Sequence, residues 1–279
     1  MKIAILYICT GRYNQFFRKF YESSEKCFLP SADKTYFVWT DDTHLADGLS
    51  SVCIYFKECA GFPFDSLFRF EMFMQAEDVL KEYDYIYFFN ANAEFRHEVG
   101  HEILPDESGL AIGRWPGVEM HRPAMFLGFE RNKKSLAYVA PYNPPYIYYM
   151  GGLNGGTSEA YLKMIRTLST NIRLDYERGI IACAHDQSHI NAYLRTHKCK
   201  VLGVELTWPE EWYFGPPLLK KGDCPRFDKG EIVEPLIVFR EKTHLDSYFN
   251  KGRKKGKLVK LKKGINRVFS AIKWYLFIN

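Results

Sequence analysis

The sequence predicts an α/β domain, a sheet with helices packed on both faces. Three observations lead there. Strand-like and helix-like runs alternate in β-α-β-α-β order over the first 95 residues. Two of the strand-like runs end abruptly in polar clusters, Thr40-Asp41-Asp42 and Asn90-Ala91-Asn92. No internal repeat and no linker interrupts the chain before about residue 250, and 279 residues are enough to bury a sizeable core.

Each element follows from its own pattern. Residues 1–10, MKIAILYICT, form a core strand; the apolar part is too short for a secretory signal and lacks a small-residue cleavage site. Asn14 to Leu29 place Phe17, Phe20, Tyr21, Ser24 and Phe28 at helical spacing. KTYFVWTDD is the second strand. Ser66 to Tyr83 are read as one helix, with Leu67, Phe70, Phe73, Met74 and Leu80 mostly along one face. YDYIYFFNANAEF then supplies a strand and, at its carboxyl end, Asn90 and Asn92, the place where ligands sit in such sheets. GLAIGRW is a further strand. YYMGGLNGG, with four glycines, is read as a loop before a helix that Thr157 or Ser158 caps and Glu159 supports in its first turn. A shorter helix, SHINAYLRTHK, follows CAHDQ, and strands KVLGVEL and EPLIVFREK finish the body.

Composition narrows the class. Seven cysteines form no CxxC pair, which argues for reduced thiols in the cytosol rather than a disulfide frame. No apolar run reaches the roughly 18 residues that span a bilayer. An aromatic content of 16% suits a sugar-binding cleft as well as an aromatic core. The net charge of +5 is unevenly placed. All 33 acidic residues precede residue 251, whereas 251–279 hold ten of the 38 basic ones. In this tail Leu258, Leu261, Ile265, Val268, Phe269, Ile272 and Leu276 keep helical spacing, with lysines and arginines between them. A basic amphipathic helix of this kind binds anionic membrane surfaces, each basic residue adding about 1 kcal/mol. The chain is therefore expected to divide into a catalytic body, 1–250, and a membrane-binding tail, 251–279, held at the cytoplasmic face. A disordered polybasic arm or an RNA-binding tail competes with this reading; no aromatic RNA-recognition motif accompanies the tail, and no nucleic-acid partner is expected.

Candidate site residues fall in four places. Asn90 and Asn92, at period two, would face one ligand if the strand continued, and an amide donates to a phosphate oxygen directly. A plain Asn-rich turn explains the pair equally. The glycines of YYMGGLNGG suit either a close backbone approach to a ligand or a turn, and no GK[ST] follows to make a phosphate loop. His185, Asp186, Gln187 and His189 cluster before a helix without a third metal-ligand spacing, and point to a polar cleft edge. Lys242 comes after an apolar strand, where a cation can neutralise a phosphate or simply stay solvated.

Taken together, NANAEFRHEVGHEILP, YIYYMGGLNGG and GIIACAHDQSHINAYLRTHK resemble glycosyltransferase family 6, which includes the ABO blood-group and α-1,3-galactosyl enzymes, and the likeness runs from residue 2 to about 245. The resemblance implies a GT-A fold and retaining transfer of galactose or N-acetylgalactosamine from UDP to the 3-hydroxyl of a galactose-containing, often fucosylated, acceptor. It places Ile8, Cys9, Thr10 and Tyr13 at the uridine, Arg69 near the donor, Asn90, Ala91 and Asn92 at the metal motif, and Asp186 at the donor sugar. Lys242 would contact the diphosphate and share the catalytic role with Gln187. Met150, Gly151 and Gly152 would line the donor-sugar pocket, where glycine at 152 leaves room for an acetamido group and tilts the choice to N-acetylgalactosamine. Trp115, Ala184, His185 and Trp208 would face the acceptor. Asn-x-Asn in place of two aspartates resembles bacterial relatives that work without a metal, so no cofactor is expected and Lys242 and Arg69 would carry the diphosphate's charge. Gln187 stands where the family has glutamate. An amide cannot form a glycosyl ester. That leaves a trapping substitution, same-face displacement with Gln187 as a dipole, or a catalytically silent sugar-nucleotide binder.

Overall fold

The computed structural model describes residues 1–115, 127–141, 146–210, 235–240 and 242. The basic segment expected over 251–279 lies outside them.

The opening order is as expected. Strand β1 (Lys2–Ile8) feeds a two-turn 3₁₀ segment at Gly11–Phe16 and helix α1 (Phe17–Cys27), which returns to β2 (Asp33–Thr40). β1 and β2 pair in parallel from Lys2↔Asp33 to Ile8↔Trp39. The chain next forms β3 (Val52–Phe56), a parallel edge strand that the sequence reading did not include. The helix expected over 66–83 is three short ones, α2 (Phe64–Leu67), α3 (Arg69–Met74) and α4 (Glu77–Leu80). Residues at their junctions, Phe68 and Ala76, have left the α region, so the apolar face follows the sheet's curvature in steps.

β4 (Tyr85–Phe89) pairs in parallel with β1. The polar turn then leads to β5 (Ala93–Phe95), and β6 (Leu110–Arg114) comes next. β7 (Tyr149–Thr157) corrects the loop expected at YYMGGLNGG: the glycines lie inside a nine-residue strand between β4 and β6. Their role is space. A Cβ on Gly155 would lie 2.6 Å from the Ile86 carbonyl oxygen, and one on Gly156 would overlap the Gly109 carbonyl. Thr157 caps the 20-residue α5 (Ser158–Glu177), its hydroxyl accepting from the Ala160 N–H at 3.4 Å. α6 (Asp186–Tyr193) is followed by β8 (Lys200–Leu202), and the rest of KVLGVEL turns into a 3₁₀ segment rather than extending the strand. β9 (Trp208–Pro209) and β10 (Ile237–Phe239) complete the described strands.

The main sheet runs β3-β2-β1-β4-β7-β6-β8, with β5-β10-β9 as a small second sheet. Alternation along β1 divides the core in two. Ile3, Ile5 and Tyr7 pack with Phe17, Phe20 and Tyr21 of α1 on one face. Ala4 and Leu6 pack with Phe70, Phe73, Tyr161 and Ile165 of α3 and α5 on the other. None of the described helices is both long and apolar enough to cross a membrane, and among the described residues no two cysteines are bonded.

Candidate active site

A cavity of about 300 Å³ opens beyond the carboxyl ends of β1 and β4. Ile8, Thr10, Tyr13, Arg69, Asn90, Ala91 and Lys242 all line it. Seven positions scattered over 235 residues of sequence thus meet at one place because parallel strands bring their ends to one edge of the sheet. Cys9, expected with them, does not line the cavity: its side chain is fully buried, its N–H bonds the Trp39 carbonyl at 3.0 Å, and burial pushes its thiol well up. It serves the core.

The Asn90–Asn92 turn is built from several sides. β4 ends at Phe89, so the two amides are not successive outward positions of one strand. The chain turns instead, the Ala93 N–H donating to the Asn90 carbonyl at 2.9 Å, and Asn90 Nδ2 donates to Asn92 Oδ1 at 2.9 Å. The Tyr7 hydroxyl, buried under the turn, donates to the Ala91 carbonyl at 2.6 Å. Asn92 Nδ2 donates to the Arg240 carbonyl at 2.5 Å. As a cradle for a divalent cation this pair is a poor match. Hard cations take carboxylate oxygen, and the turn offers neutral amides already bonded to one another. Among the described residues no group of three His, Cys, Asp or Glu is placed to hold a metal.

Arg69 is placed differently from a solvent-facing phosphate clamp. It is buried, with its guanidinium 4.5 Å from the Phe88 ring centroid. Nε lies 3.2 Å from Asp186 Oδ2, and Nη1 donates to the Gly151 carbonyl at 2.8 Å. Burial raises the Asp186 carboxyl from 3.8 to about 6 against the opposing pull of Arg69 and Lys242. Much of the Arg69 charge is therefore committed to Asp186.

Gly151 is the hub of this side. Its N–H donates to Gln187 Oε1 at 2.9 Å, and its carbonyl also accepts from Asn154 Nδ2 at 3.0 Å. A Cβ there would stand 2.9 Å from Asp186 Oδ2, so only glycine lets the carboxylate approach the strand this closely. Asn191, one turn after Gln187 on α6, acts as a substitute strand: Oδ1 accepts from the Tyr149 N–H and Nδ2 donates to the Tyr149 carbonyl, each at 2.9 Å. The space over Gly152 is not open. The Met150 methyl lies 2.7 Å from where a Cβ would be, at the end of a flexible side chain.

The expected acceptor residues separate. Trp115 is 37% exposed and meets Tyr148 edge-on at 6.2 Å. His185 packs edge-on against Phe62, which lines the cavity, at 4.8 Å. Its φ of 53° is a conformation L-residues avoid, a cost tolerated where a site demands it. Ala184 is half-buried beside it, its N–H donating to Ser188 Oγ at 3.0 Å. Trp208 is the correction: it has no exposed surface and is part of the small sheet, so it supports the site from the core. Missed altogether were Arg12 and Asp65, both lining the cavity. Asp65 accepts from Thr10 Oγ1 at 2.9 Å and from the Gly61 N–H at 2.9 Å, and so shapes the 57–66 wall. Neither carries a periodic or motif signal; only the tertiary contacts reveal them.

The mixed sheet flanked by helices, with a cavity past the carboxyl ends of its parallel strands, fits a single GT-A-like glycosyltransferase domain. The profile of glycosyltransferase family 6 matches residues 1–225, and the chain belongs to that family. It is similar to the O-antigen biosynthesis glycosyltransferase WbnI of Escherichia coli, 32% identical over 251 residues, covering 90% of this chain and 99% of that one. It is also similar to the histo-blood group ABO system transferase 2 of Rattus norvegicus, 29% identical over 228 residues (78% of this chain and 67% of that one). The globoside alpha-1,3-N-acetylgalactosaminyltransferase 1 of Homo sapiens is 27% identical over 231 residues, 79% and 64% respectively.

Proposed function

We propose that this glycosyltransferase moves N-acetylgalactosamine or galactose from UDP to the 3-hydroxyl of a galactose-containing glycan of the bacterial surface, with retention and without a metal ion. The observation that carries the proposal is the composition of the cavity: Lys242, Arg12 and the amide of Asn90 line it, the Asp65 carboxylate that also lines it is bonded to Thr10 and Lys57, and no carboxylate stands at the Asn90–Asn92 turn. In the transfer, the bond from the sugar's anomeric carbon to the UDP oxygen breaks while the acceptor oxygen bonds to the same face. The acceptor proton passes to the departing phosphate. Negative charge develops on UDP, and donors fixed in advance at that position stabilise it without reorganising. Lys242 supplies the cation and Asn90 a neutral donor. Arg69 contributes chiefly by holding Asp186 and the Gly151 peptide where the donor sugar would lie.

Gln187 is read as a fixed dipole rather than a nucleophile, because its oxygen already accepts from the Gly151 N–H. Resemblance to an O-antigen enzyme and to a globoside N-acetylgalactosaminyltransferase supports the acceptor and donor classes. The 251–279 tail would hold the enzyme against the inner membrane face, near a lipid-linked acceptor; equal flotation on anionic vesicles with and without it would refute the anchor. The principal test is a donor and acceptor screen with mass detection, run in EDTA. Hexose transfer that persists in EDTA is expected. Turnover lost in EDTA and restored by Mn²⁺ would overturn metal independence. Saturable UDP-sugar binding with neither transfer nor donor hydrolysis would favour a silent binder.

A further inference from the structure

We propose that Arg240 is a positioning residue, a latch that joins the last described strand to the Asn90–Asn92 turn and so holds Lys242 over the cavity. The proposal rests on the reading of Lys242 as the diphosphate's cation. β10 is only three residues long, and Lys242 lies three residues past its end. A strand that short pairs too few backbone groups to fix the residues beyond its end. Its ladder is reinforced at the point where the chain leaves the sheet. The Arg240 N–H donates to the Asn92 carbonyl at 2.7 Å, and the Arg240 carbonyl accepts from Asn92 Nδ2 at 2.5 Å.

The side chain extends the same joint. Arg240 Nη1 lies 2.5 Å from Glu94 Oε2, on β5, and Nε lies 3.2 Å from Glu210 Oε1, just past β9. One guanidinium thus bridges a carboxylate on β5 and another just past β9, on the two sides of β10. Glu94 is held in turn by Arg96 Nη1 at 3.1 Å. These side chains are 28%, 15% and 23% exposed for Arg240, Glu94 and Glu210, drier than an ordinary surface pair and correspondingly less screened. A planar fork serves two carboxylates at once, which an ammonium point charge does poorly. Two residues on, Lys242 Nζ stands 5.8 Å from the Tyr13 ring centroid, inside the cavity. Asn92, held at Oδ1 by Asn90 and at Nδ2 by Arg240, is oriented by the same joint. The main chain of residue 240 holds Asn92, and the arginine side chain, which does not itself line the cavity, fixes that main chain and the path to Lys242.

A mutant cycle on the full chain tests this, with UDP titrated by calorimetry and folding followed by urea denaturation. Arg240→Gln and Lys242→Ala are each expected to weaken UDP binding by about 10- to 100-fold. The double variant should bind within about twofold of Lys242→Ala alone, since a latch has nothing to hold once the lysine is gone. Arg240→Lys should recover part of the loss. Additive losses in the double variant, or an Arg240→Gln effect confined to the urea midpoint, would overturn the latch and leave the reading of Lys242 intact. Unchanged UDP binding in Lys242→Ala would overturn both.

Discussion

One wall of the cavity, made by Thr10, Arg12, Tyr13, Asn90 and Lys242, turns its side chains toward the space where a ligand would lie. The neighbouring elements β7 and α6, which do not line the cavity, turn theirs toward each other: Gln187 and Asn191 bond the backbone of β7, and Asp186 pairs with Arg69 against Gly151. The first wall is assembled from strand ends and can change residues without disturbing the sheet. The β7–α6 packing is close, so it tolerates little. The cavity lining and the packing beside it thus sit on elements of different rigidity.

The comparison breaks first at β7. Gly156→Ala places a methyl group against backbone atoms of Gly109 and Leu110, which cannot move without shifting β6. A loss of about 3 kcal/mol or more is expected, read as a lowered urea midpoint. Gly48→Ala, at φ 77° with no neighbour within 4 Å, should cost only about 1–2 kcal/mol. Equal midpoints would show that β7 packs more loosely than described.

A smaller effect is expected from pH. Asp186, raised by burial to about 6, must be ionised to pair with Arg69, so kcat/KM should fall about fivefold between pH 6 and 5. Its effect on folding has the opposite sign. A carboxyl whose folded value lies above its ordinary 3.8 favours the folded state below about pH 4, and that contribution fades as pH rises through about 6. His189, lowered by burial to about 4, opposes it; its contribution is present above 6.5 and is lost as pH falls through about 4. The rate profile, rather than bulk stability, is therefore the clean readout, and a flat profile from pH 5 to 7 would remove Asp186 from the donor site.

The smallest effect sharpens the dipole assignment. Gln187→Glu keeps an oxygen that can accept from the Gly151 N–H, so a change in kcat below about threefold is expected. A gain of 100-fold or more would instead mark Gln187 as a lost nucleophile.

Much of the site was legible in the sequence where polar residues interrupt apolar runs. Thr10 after β1, Asn90 after β4 and Lys242 after β10 each stand out against the strand before them, and all three line the cavity. The glycine strand was misread because glycine signals freedom in sequence, while in β7 it records crowding by Tyr87, Ile86 and Gly109. Trp208 was misread because an aromatic residue near a predicted strand looks the same whether its ring faces a sugar or the core.

By itself the sequence determined the β-α-β order, the cap of α5 at Thr157, and which residues interrupt the apolar runs, because these depend on local periodicity and side-chain chemistry. Only the tertiary structure decided that Arg69 belongs with Asp186, Tyr7 with Ala91, and Arg240 with Glu94 and Glu210. Those partners lie 84 to 146 residues apart in two of the contacts, Tyr7–Ala91 and Arg240–Glu94. Long-range pairings of this kind are set by strand order and burial, which no local window of residues contains.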